Sequence, residues 1–249
     1  MLKKTGLASV LCLFSLVAVS ALDLGLYPYI EAGSGQASGS FLSGRGDFYS
    51  ELGASSITQL GSSAPYYPIL LGGLGVDLSL SGGDFLLWNG PFSFVTGMDV
   101  GSWGGAVSGK TAADGTAFAS TRARDIAFSI HVGERYRIAL EPKGILSFDL
   151  GPFVGFNCAY FVQENISGIY SLSVLSPDLA DLAFVGVGLG CDYGYELGPG
   201  LLTLGLRGDI ALTPIASADG VVGASIEYPW RVLVRAGYEI PLGAHKGDK

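Results

Sequence analysis

The sequence predicts an all-β chain folded as an eight-stranded antiparallel up-and-down transmembrane β-barrel, and three observations carry that prediction. The 249 residues are 49% hydrophobic and only 14% charged, with 39 glycines and a mean hydropathy of +0.43. Yet no unbroken apolar run beyond the N-terminal segment reaches the roughly 20 residues that a transmembrane helix needs. A soluble domain so poor in charge aggregates readily, and within lipid the structure other than a helix that satisfies every backbone group is a closed barrel. The second observation is strict period-two alternation along eight segments, and the third is that the connectors between them alternate long and short.

Residues 1–21 read as a secretory signal peptide. Lys3 and Lys4 form its charged start, Leu7 to Val19 its apolar stretch, and Ala18, Ser20 and Ala21 supply small residues for cleavage. Cys12 lies inside the apolar stretch rather than just after it, which argues against lipidation. The stretch is also short for an uncleaved anchor helix. Residues 22–243 then form the barrel domain and 244–249 a short tail. Without Lys3 and Lys4, the 14 basic residues become 12 against 22 acidic ones, a net of about −10. No basic run could track a phosphate backbone, so nucleic acid is excluded as a partner. Cys158 and Cys191 are too few for a disulfide scaffold, and their spacing does not decide whether they pair.

The segments follow in order. In 21–32, Leu22, Leu24, Leu26 and Ile30 oppose Asp23, Gly25, Tyr27 and Glu31. In 68–81 and 92–103 the alternation sets Asp77 and Asp99 on the polar side. Segment 123–139 places Ile126, Phe128, Ile130 and Val132 against Asp125, Ala127, Ser129, His131 and Gly133. Segment 144–162 places Leu146, Phe148, Leu150, Val154, Phe156, Cys158 and Tyr160 against Ser147, Asp149, Gly151, Gly155 and Asn157. The clearest case is 183–197, where Val185, Val187, Leu189, Cys191, Tyr193, Tyr195 and Leu197 alternate with Gly186, Gly188, Gly190, Asp192, Gly194 and Glu196. A tight "GPG" turn leads into 201–213, with Leu202, Leu204, Leu206, Ile210 and Leu212 on the greasy face and Arg207 and Asp209 opposite. Segment 230–242 closes the series with Arg231, Arg235 and Glu239 on the polar side. Alternation of this kind gives each strand one apolar face. In a soluble sandwich the other face meets water; here it is glycine broken by isolated charges, which suits a narrow barrel interior.

An even strand number is what single-chain barrels require. Connectors 33–67, 104–122, 163–182 and 214–229 are long, and those near 82–91, 140–143 and 198–200 are short. Long loops face the cell exterior in such barrels, which puts both termini in the periplasm. Phe92, Tyr136, Tyr160, Tyr195, Trp230 and Tyr238 fall near strand ends, where aromatic girdles belong. Residues 221–228 fit either an outward extension of the last strand or the loop before it.

On this architecture the mature chain resembles the small eight-stranded outer-membrane β-barrel proteins, the group of the OmpA membrane domain, OmpX and OmpW. The resemblance covers essentially the whole mature chain and speaks to fold rather than activity. In the last strand, "RAGYEIPL" sets Arg235, Gly237, Ile240 and Leu242 in the polar, glycine, hydrophobic, hydrophobic order of a barrel-assembly signal, without the terminal Phe of the bacterial pattern. The resemblance implies outer-membrane lipid and the barrel-assembly machinery as partners, and a monomer.

The candidate site is the set of lumen charges Asp77, Asp99, Asp125, His131, Asp149, Asp192, Arg207, Asp209, Arg231 and Arg235, joined by Asp23, Glu31, Arg135 and Glu239. These charges form either a polar path for small solutes or an ion-paired plug, and eight strands enclose so little space that the plug is favoured. Catalysis by a nucleophile needs a base beside it. His131 has Ser129 on its face, a spacing that any alternating strand supplies, and His245 lies in the tail. No metal spacing and no cofactor motif occurs. The triplet Arg-Gly-Asp occurs twice: Arg207 to Asp209 in the lumen, and Arg45, Gly46 and Asp47 in the longest external loop, where an extracellular or host ligand could meet it. The expected role is that of a non-catalytic surface protein, with a small-solute channel and an adhesin acting through the first outer loop as alternatives.

Overall fold

The computed structural model describes residues 23–38, 66–81, 91–111, 117–140, 142–166, 169–175, 183–213, 216–218 and 224–242. The N-terminal segment, the C-terminal tail and the loop carrying Arg45, Gly46 and Asp47 lie outside the described residues. The chain folds as β1 (Asp23–Ser38), β2 (Tyr66–Tyr67), β3 (Ile69–Ser81), β4 (Phe92–Thr111), β5 (Ala117–Leu140), β6 (Gly144–Ile166), β7 (Ile169–Leu175), β8 (Ala183–Leu197), β9 (Gly200–Ala211), β10 (Ala216–Ala218) and β11 (Ala224–Pro241). Eight of these pair antiparallel in the order β1-β3-β4-β5-β6-β8-β9-β11, and β11 pairs back onto β1. The circuit is closed, so its edges vanish.

Period-two alternation fixes which side chains fill the interior. Directly paired residues share a face: Tyr27 meets Asp77, Asp77 meets Gly97, and Gly97 meets His131. Across the next strands Arg135 pairs Asp149, Asp149 pairs Gly190, and Gly190 pairs Arg207. The intervening residues point outward and stay open, Leu70 at 80%, Leu189 at 60% and Leu204 at 60% exposure among them. One acidic residue, Glu134, also stands on the outer wall, between Phe94 and Leu150 and two residues from Tyr136.

At the end where β1 begins and β11 finishes, the described turns between β5 and β6 and between β8 and β9 are tight. Gly198 and Pro199 join β8 to β9, and Gly198 has φ of 64°, a left-handed conformation that glycine adopts without strain. At the opposite end the wall is taller than the sequence predicts. Strands β4, β5 and β6 run to 20, 24 and 23 residues, about twice the 9 to 11 that cross a bilayer. The segments expected as connectors at 104–122 and 163–182 are largely this extended sheet, with β7 added along β6. Residues 224–228 belong to strand β11, and β10 pairs with them.

One side chain is reversed from expectation. Alternation predicts Tyr160 outward with Phe156 and Cys158, but it is buried in the lumen opposite Asp125. The cause is a β-bulge: Ile126 pairs Ala159 while Ala127 pairs Asn157, so Cys158 is an extra residue that shifts the parity of the rest of β6. Cys158 itself remains on the outer wall, and both it and Cys191 are free thiols.

Candidate functional site

The lumen charges assemble into two linked networks. In the one nearer the tight turns, Arg235 binds Asp192, donates from Nη2 to Asp149 Oδ2 at 2.7 Å, and lies 3.5 Å from Asp77. Arg135 donates from Nε to Asp149 Oδ1 at 2.6 Å and from Nη2 to Asp149 Oδ2 at 3.0 Å, a two-pronged contact. It also reaches Asp77 at 3.4 Å. In the second network Arg231 donates from Nε to Asp209 at 2.8 Å and from Nη2 to Asp99 at 3.3 Å, and approaches Glu31 at 3.5 Å. Arg207 donates to the other oxygen of Asp209 at 2.9 Å. His131 joins the two, with Nε2 at 2.9 Å from Asp77 and Nδ1 at 3.8 Å from Asp99.

Aromatic rings cover these cations. The Arg235 guanidinium carbon sits 5.4 Å from the Tyr27 ring centre and 5.2 Å from that of Tyr29, and Arg231 sits 4.2 Å from the Trp103 ring. Contacts of this kind contribute roughly 0.5–2 kcal/mol each when water is excluded. Glu239 closes the turn end: its two oxygens accept from Arg137 Nη2 at 2.7 and 2.8 Å, and one of them also accepts from Ser79.

The interior glycines are the space these groups occupy. A Cβ added to Gly97 would lie 2.7 Å from His131 Nε2, one on Gly73 2.8 Å from Glu31 Oε1, and one on Gly101 2.5 Å from Arg231 Nη1. Small residues therefore alternate with long charged ones so that neighbouring strands interlock. Beside Asp77, His131, Asp149 and Arg235 lies a cavity of about 30 Å³, room for roughly one or two waters. Toward the long-strand end, Trp103 stacks on Phe153 and both meet Phe184 edge-on, with ring centres 5.4 to 6.0 Å apart and all three side chains buried. At the tight-turn end the lumen opens into a vestibule of about 450 Å³ that ends at Ser79, Arg137 and Glu239.

Nine of the ten charges expected as the site thus meet in the two networks. Asp125 does not. It is fully buried opposite Trp103 and Tyr160, and among the described residues it joins neither network. The pair considered for catalysis is not assembled either, because both nitrogens of His131 face carboxylates and Ser129 is two residues away along β5. Among the described residues no group of three His, Cys, Asp or Glu side chains is arranged to hold a metal. Sequence reasoning overlooked Trp103, Phe153 and Phe184. Parity alone would have found them, since each falls on the glycine and charge face, but a hydrophobic side chain there is easily read as the end of the pattern.

No protein-family model matches the chain. No curated protein matches it either. Solved structures align over most of the chain. Neisserial surface protein A (NspA) superposes with a TM-score of 0.39 and 14% identity, covering 86% of this chain and 96% of that one. Ail, the attachment invasion locus protein of Yersinia pestis, in complex with the heparin analogue sucrose octasulfate, gives a TM-score of 0.33 and 8% identity over 88% of this chain and 99% of its own. A second crystal structure of Ail gives 0.32 and 8% over the same shares.

Proposed function

We propose that this chain is a non-catalytic integral outer-membrane β-barrel whose lumen is a structural plug and whose working surface is the end where the strands are long. The observation that carries the reading is the filled lumen: each inward glycine tested above faces a neighbour's charged group, and a buried aromatic cluster lies above the networks. The apolar exterior supports the membrane. Outward residues Ile30, Leu74, Leu150, Leu189, Leu206 and Val234 are all 49% exposed or more around the circuit, a surface that water would not tolerate and lipid would.

The same observations weigh against solute conduction and against acid–base catalysis by His131. They leave the extracellular partner open to chemistry carried by the long-strand end, including the Arg45, Gly46 and Asp47 loop. The closing strand β11, with Arg235, Gly237, Ile240 and Leu242, is the segment that the barrel-assembly machinery would engage before it seals onto β1. The test is planar-bilayer recording on the folded protein. The expected result is a protein that inserts and stays electrically silent. Defined conductance steps that change on Arg207→Ala or Asp149→Ala would replace the plug with a solute pathway.

A further inference from the structure

The outward row of β5 reads as a depth scale. From the tight-turn end it runs Tyr136, Glu134, Val132, Ile130, Phe128, Ile126, and then Arg124 and Arg122. With about 3.3 Å per residue and a tilt near 40°, the step from Tyr136 to Arg124 spans roughly 30 Å along the barrel axis, slightly more than the apolar band of about 25 Å. The two arginines therefore stand where the hydrocarbon gives way to head groups, on the lipid-facing side, in a chain whose net charge is −8.

Their surroundings fit that level. Arg124 crosses the outer wall and donates from Nη2 to the carbonyl of Leu70 at 2.7 Å. That bond fixes the guanidinium in place and leaves further N–H groups to bind. Arg122, two residues on and about 7 Å away along the strand, pairs across β6 with exposed Gln163. Gln163 in turn pairs with Leu172 of β7. On the same face of β7, Tyr170, Leu172 and Val174 are 69%, 66% and 62% exposed. A cationic pair, an amide and an apolar stripe thus lie side by side on one face.

We propose that Arg122, Arg124 and Gln163 bind the anionic head group of an outer-leaflet lipid, with its acyl chain running toward the tight-turn end along the apolar row Ile126, Phe128 and Ile130. Charge complementarity selects the head group, and the apolar row selects a lipid over a soluble phosphate. The inference rests on the membrane-barrel reading, so the experiment separates the two. The protein is folded into phosphatidylcholine vesicles carrying a trace of spin-labelled phosphatidylglycerol or spin-labelled phosphatidylcholine, and the motionally restricted fraction is compared. The expected result is a several-fold preference for the phosphatidylglycerol probe, reduced to near unity in R122Q/R124Q and largely kept in R122K/R124K. Equal selectivity in the wild type and R122Q/R124Q, or no preference in the wild type, overturns the site while leaving the barrel standing. Absence of a restricted shell for either probe overturns the membrane reading itself.

Discussion

At the scale of the residue, the lumen is a set of coupled charges, and removing one leaves the others buried without compensation. Arg235 serves Asp77, Asp149 and Asp192 together. Arg235→Ala is expected to cost about 3–5 kcal/mol, the penalty of an uncompensated buried charge. Equilibrium unfolding in urea from lipid vesicles checks it as a lowered midpoint. Two glycines give opposite predictions. Gly101→Leu would drive a side chain into Arg231 and is expected to cost about 1–3 kcal/mol or prevent folding. Gly208, the centre of the lumen triplet Arg207 to Asp209, points to the outer wall, and a Cβ placed on it would meet nothing within 4 Å. Gly208→Leu should be neutral or stabilising in the same measurement, and a loss comparable to that of Gly101→Leu would contradict the assigned faces. Parity made most of the inward charges legible in the sequence, although Arg137, which lies on the same face and binds Glu239, was not read from it. It could not say which carboxylate meets which guanidinium, because Arg235 and Asp149 come together from strands far apart in the chain through the stagger of the closed circuit.

Elements show a sharper boundary between what could and could not be read. Where one face is covered and the other open, as in β8 and β9, alternation is strict and the strand ends match expectation closely. The alternation fades in the sequence from Gly104 and Gly105 onward, which hid both the extension of β4, β5 and β6 and strand β7. The bulge at Cys158 was likewise silent, since one extra residue alters parity without altering composition. Among the described residues strand β7 pairs only with β6, whereas β8 pairs on both sides. Backbone amides of 169–175 are therefore expected to exchange with solvent deuterium well before those of 183–197. Equal protection of the two segments would show that β7 has a further partner on its free edge.

For the whole molecule, the two properties that matter are closure and filling. Closure between β1 and β11 ties the ends of the barrel sequence together, so the fold is cooperative and a folded form that migrates differently from the heated one is expected on a gel. The closed circuit of eight strands, its short turns and its apolar exterior followed from composition, period and connector lengths. Whether the inward glycines left a channel did not, because space in the lumen is set by side chains reaching across from neighbouring strands, as His131 does over Gly97. Single-channel recording of the folded protein in planar bilayers tests the plugged lumen without an intermediary. A plugged barrel inserts, is heat-modifiable and carries no defined current. Discrete conductance steps abolished by substitution at Arg207 or Asp149 would contradict it.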